Sequence, residues 1–76
     1  MDEFEIAAGA VLAALDAARA CRTRNRDLQQ YSHPESRARS CHYANEGPIN
    51  DAIEALDAAA RKLLEVRDRN NRMLDQ

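Results

Sequence analysis

The sequence predicts an all-α fold: an antiparallel helical hairpin of two long helices with a short helix in the connection, dimerising into a four-helix bundle. Three observations carry this. Fifteen of the 76 residues are Ala, while Gly and Pro number two each, a helix-forming composition. Apolar residues recur at steps of three and four along two separate stretches, the period of an amphipathic helix. Charge polarises the two stretches in opposite senses along the chain.

The first helix is expected over residues 3–30. Phe4, Ala8, Val11, Leu15 and Ala18 form one row that continues into Arg22 and Asn25, with Leu12, Cys21 and Leu28 widening it. The second long helix is expected over 48–75, on the row Ile49, Ile53, Leu56, Ala60, Leu63, Arg67, Asn70 and Leu74, with Ala52, Ala59, Val66 and Met73 beside it. Pro48 suits a first helical position because its missing N–H has no partner there in any case. Asp57/Arg61, Glu65/Arg69 and Asp68/Arg72 place each acid four residues before its base, the favourable order on an exposed face.

Between the two rows, Tyr31 to Gly47 has no strong apolar period. Ser32-His33-Pro34-Glu35 fits a capping box, in which the Ser hydroxyl and Glu carboxylate each accept from the other's backbone N–H. A short helix over 34–44 follows, with Ala38, Cys41 and Ala44 inward and Asn45-Glu46-Gly47 ending it. The topology follows from charge. The first helix begins with Asp2, Glu3 and Glu5 and ends with Arg19, Arg22, Arg24 and Arg26; the second begins with Asp51, Glu54 and Asp57 and ends with Arg67, Arg69 and Arg72. An antiparallel hairpin brings acidic ends to basic ends at both tips.

One hairpin covers only part of two broad apolar stripes, so a homodimer is expected, with Phe4, Val11, Leu15, Ile49, Ile53, Leu56, Leu63, Asn70 and Leu74 on the core or dimer face. Asn25 and Asn70 interrupt the stripes, either fixing register as buried Asn does or marking where the stripes become wet.

A chain of 8.5 kDa is one domain and too short for a deep catalytic cleft. Ser32, Ser36 and Ser40 with His33 and His42 have no Gly-rich elbow or recognisable order of catalytic parts, so no catalytic residue is assigned. Cys21, His33, Cys41 and His42 have the atoms for tetrahedral zinc but lack the short Cys or His pairs of structural zinc sites, so no metal or cofactor is expected. Two buried or half-buried thiols are expected in preference to a Cys21–Cys41 disulfide. No run is long enough to span a bilayer, and the first residues are acidic where a signal peptide is basic, so a soluble cytoplasmic protein with no membrane partner is expected.

The stretch Arg19–Tyr43 holds six Arg against Asp27 and Glu35, a local charge of +4 in a chain of net −2, with Tyr31 and Tyr43 among them. Arg with Tyr is the composition of interface hot spots. A protein-binding surface is therefore assigned to Arg22, Arg24, Arg26, Tyr31, His33, Arg37, Arg39 and Tyr43. The plainer reading pairs Arg22, Arg24 and Arg26 with Asp51, Glu54 and Asp57 of the second helix. In size and hairpin design the chain resembles small dimeric four-helix-bundle regulators of plasmid RNA, and in style it resembles small inhibitors encoded by bacterial viruses; neither likeness transfers a site. The leading expectation is a noncatalytic module that binds and modulates, or inhibits, a protein partner. A nucleic-acid or anionic-ligand binder using the same arginines is the second reading, weakened by the net negative charge, and a purely structural oligomerisation segment is the third.

Overall fold

The computed structural model describes residues 2–75. Within them the chain forms two helices and no strand: α1, Glu3–Tyr31, and α2, Arg37–Leu74. Asp2 caps α1, its carboxylate accepting from the backbone N–H of Phe4 at 2.6 Å and of Glu5 at 3.4 Å, while Glu3 and Glu5 sit at the positive end of the helix dipole.

Pro34 stops α1. The residue before a proline is pushed out of helical backbone, and the chain turns at Ser32, whose N–H and hydroxyl both donate to the Leu28 carbonyl. The N–H of Ser36 returns to the His33 carbonyl at 3.0 Å. Ser36 then caps α2, its hydroxyl accepting from the Arg39 N–H at 3.1 Å. The expected capping box does not form: Ser32 ends α1 rather than starting a helix, because Pro34 leaves no helical path through His33, and the cap falls four residues later on Ser36, where Arg39 at the third helical position has no acceptor to complete a box.

The short helix expected over 34–44 is not a separate element. From Arg37 onward its residues are the first turns of α2, which runs through Gly47 and Pro48 without a break. A Gly stop would place Gly47 at positive φ, yet no described residue has positive φ. Pro48 has no N–H to give to the Ala44 carbonyl, and Ala44 lies on the exposed side of the helix, where the missing bond costs least. Gly47 carries no Cβ to strike the proline ring, which removes part of the usual clash. Ala38, Cys41 and Ala44, expected inward, are all exposed because the short segment shares the phase of α2 rather than folding back on its own.

The helices pack antiparallel along their length. The advance from Glu5 to Arg26 on α1 equals the retreat from their partners Arg67 to Glu46 on α2, so the pairing holds with no slip between the two ends. The expected rows form the contact. Ala8, Leu15, Ile53 and Ala60 are buried, and Phe4, Val11, Ile49, Leu56, Leu63 and Asn70 are half-buried. Leu74, at the end of the same row, lies outside the contact within one hairpin: it is 82% exposed, because α2 is nine residues longer than the 29-residue α1 and overhangs its start. On the surface, Asp57–Arg61 closes at 3.1 Å, whereas Asp68 is engaged by Arg67 at 2.8 Å rather than by Arg72.

The only helical glycine in α1, Gly9, is exposed, and a methyl group added there meets nothing within 4 Å. Gly9→Ala should stabilise the helix by about 0.5–1 kcal/mol, the propensity difference between the two residues. In a thermal melt followed by circular dichroism, that is a rise of roughly 3–6 °C in Tm; a fall would show that this position is packed against something.

Candidate functional site

The connection end of the hairpin carries the chain's densest polar contacts. Asn25, on the apolar row of α1, is 94% buried, with 6% of its surface exposed. Its Nδ2 donates to the His42 carbonyl at 2.8 Å and to Glu46 Oε2 at 3.4 Å. One turn on, Gln29 Nε2 reaches the same two acceptors at 3.2 and 3.1 Å, and Arg26 Nε donates to Glu46 Oε1 at 2.7 Å. Glu46 therefore receives three donors from one edge of α1. The Arg26 guanidinium, aided by Gln29 and Asn25, holds its carboxyl below the usual carboxylate range against the opposing effect of burial. Arg22 Nη1 adds a longer contact to Asn50 at 3.4 Å.

This node corrects the arginine pairing expected from sequence. Arg26 meets Glu46 and Arg22 meets Asn50, not Asp51, Glu54 or Asp57, because the true start of α2 lies eleven residues earlier than position 48 and moves every partner. At the open end the expected complementarity holds: Arg67 lies 3.8 Å from Glu5. Asp68, Glu5 and Asp2 keep its guanidinium above its ordinary range, so it is charged at any working pH.

The lowered carboxyl of Glu46 sets a sign. Its stabilising pairing is complete above the ordinary carboxylate range and is lost as pH falls through the folded value. Wild-type Tm should therefore fall on acidification, and Glu46→Gln, which keeps the shape but cannot titrate, should show a smaller fall over the same range; identical pH profiles would remove Glu46 from the acid response.

The structure divides the eight assigned binding residues. Arg22 and Arg26 are committed to α2. Tyr31, His33, Arg37 and Arg24 are exposed, Tyr31 at 82%. Arg39 lies with its guanidinium 5.6 Å from the centre of the Tyr43 ring and its Nη2 3.3 Å from the Tyr43 hydroxyl, an i, i+4 pair that holds both side chains against the helix. Arg39 and Tyr43 share a row with Glu46 and Asn50.

The other side of the same end is an open apolar groove of about 480 Å3, lined among others by Cys21, Arg24, Leu28, His42, Asn45 and Ile49. A second depression, sharing Cys21 and Ile49 and bounded by Ala18, Pro48 and Ala52, extends it along the hairpin. Both thiols are free, as expected, but exposed, where buried or half-buried ones were expected. The helix pairing puts Cys21 level with Asp51, ten residues along α2 from Cys41, or roughly 15 Å at the helical rise, beyond disulfide reach. Among the described residues no group of three His, Cys, Asp or Glu converges as a metal set, and no helix is long and apolar enough to cross a membrane.

Sequence reasoning missed Gln29, Glu46 and the groove. Their signal was present as a polar i, i+4 pattern, Arg22–Arg26 and Asn25–Gln29, interrupting the apolar row, but its partners could not be named without the length of the connection. Fold and site together define a two-helix hairpin with a locked polar node and exposed Arg and Tyr at one end. No protein-family model, curated protein or solved structure matches the chain.

Proposed function

We propose that the chain is a noncatalytic protein-binding module, homodimeric and cytoplasmic, that modulates or inhibits a protein partner through the connection end of the hairpin. The observation that carries this is the exposure of Tyr31 and Tyr43, at 82% and 56%, beside Arg37 and Arg39 at an end that the polar node already locks. Large aromatic surface held in water on a rigid support suits a partner's pocket, because little ordering entropy is lost on binding. Arg24, Arg37 and Arg39 supply a charged rim, with the His33 ring beside them.

The double variant Tyr31→Ala/Tyr43→Ala should leave helix content and Tm nearly unchanged, since neither side chain is buried. Crosslinked capture from a lysate should then lose the partners retained by wild type, and with an isolated partner the Kd should rise at least about 30-fold per hot-spot tyrosine. Unchanged capture would remove the two tyrosines from the partner-binding surface. The second reading, binding of nucleic acid or another polyanion, is favoured by the local +4 but has fewer free cations than the sequence suggested, since Arg22 and Arg26 already have partners. Titrating labelled RNA and DNA at two salt concentrations separates the readings: tight binding that falls steeply and log-linearly with salt belongs to phosphate contacts.

A further inference from the structure

We infer that a second copy of this chain covers the groove side of the hairpin, stacked head to tail about a two-fold axis so that the connection end of each copy lies over the open end of the other. The inference rests on the homodimeric reading above and adds its face and its orientation.

The hairpin is a single layer. Its extents are 63 × 18 × 12 Å, and the shortest is the diameter of one helix. Only four apolar residues are buried in the described chain, whereas stable domains enclose a core between at least two layers. The two broad faces differ. One carries Arg26–Glu46, Arg22–Asn50 and the Arg39–Tyr43 pair. The other starts at the groove of Cys21, Ile49 and Ala52 and continues, at helical spacing toward the open end, through alanines of α1 and Leu56, Ala59 and Leu63 of α2. Over the 29 residues of α1, about 43 Å at the helical rise, and the 18 Å width, that face offers roughly 800 Å2 per copy. This is the area per partner of a standard stable interface.

Charge selects the orientation. Up to the level of Arg19 on α1 and Ile53 on α2, the connection half holds six bases against four carboxylates, +2; the open half holds five against nine, −4. Head-to-tail stacking sets unlike halves over each other, while stacking with both connections at one end sets like over like. The overhang agrees: head-to-tail packing carries Met73 and Leu74, both largely exposed, over the connection end of the second copy, and the alternative leaves them in water.

The test uses the full chain with Cys21→Ala, Cys41→Ala and Tyr31→Cys, spin-labelled at the single thiol. Sedimentation should give a dimer at micromolar concentration, and the dipolar distance between labels should be about 45 Å along the bundle. A monomer overturns both this inference and the homodimeric reading; a dimer with labels within about 20 Å, two stacked layers plus the label arms, overturns the orientation alone. Ala52→Glu, on the groove side, should weaken the dimer at least 100-fold, whether the freed chain stays helical or unfolds. Ala58→Glu, exposed on the outer side of α2, should not. Persistence of the dimer in Ala52→Glu would place the second copy elsewhere.

Discussion

Asn25→Asp should cost about 3–5 kcal/mol at neutral pH, the cost of an uncompensated buried charge, a large share of the chain's total stability. A stability of roughly 4–11 kcal/mol is all that a 76-residue domain has to lose. The substitution is nearly isosteric, so packing survives; what changes is electrostatic. The amide donors to the His42 carbonyl and to Glu46 are replaced by an anion aimed at two acceptors, one of them already charged. Burial and the Glu46 carboxylate both raise the introduced group above the ordinary carboxylate range. A raised carboxyl binds its proton more tightly in the folded state, so the variant should be more stable near pH 4 than near pH 7. Wild type should trend the opposite way through Glu46. Urea unfolding at the two pH values distinguishes them, and a variant with wild-type stability at neutral pH would show that Asn25 is wet.

Leu15→Ala should cost about 2–5 kcal/mol, the range for removing a buried Leu and leaving a cavity, and lower Tm by at least about 10 °C. Leu15 is 2% exposed, the largest fully buried side chain in the hairpin. The single-layer architecture offers few neighbours to collapse into the space. Leu12, one turn earlier on α1, is 42% exposed, and Leu12→Ala should cost under about 1 kcal/mol by the area it already leaves in water. The contrast is read from the two urea midpoints at one protein concentration, because an associating chain has a concentration-dependent stability. Equal losses would mean that the Leu12 side of α1 is also covered in solution.

These two positions also mark what could be read early and what could not. The apolar rows were legible because a helix repeats every 3.6 residues whatever it packs against: Phe4, Ala8, Val11, Leu15, Ala18 and Asn25 stand on one line in the sequence and on the buried side of α1 in space. The antiparallel direction was legible because charge acts over many ångströms and does not require the exact partner, and Glu5 with Arg67 obeys it. Pairing at the other end was not legible. Moving the start of α2 from residue 48 to Arg37 exchanged the partners of Arg22 and Arg26 and made Ser36, not Ser32, the cap.

The local reading failed where two weak helix-breaking signals, Gly47 and Pro48, had to be weighed against packing along both sides of them. A proline inside a helix has a local cost, but Asn25, Arg26 and Gln29 hold His42 and Glu46 before it, and Ile53 is buried after it. Tertiary contacts on both flanks keep the helix continuous through a position that an isolated peptide would break. The sequence by itself determined the all-helical class, the buried rows and the sense of the hairpin, since each follows from periodicity or long-range charge. Only the tertiary structure decided the length of α2, the polar node around Glu46 and which arginines remain free, because each depends on the pairing of residues far apart in the chain.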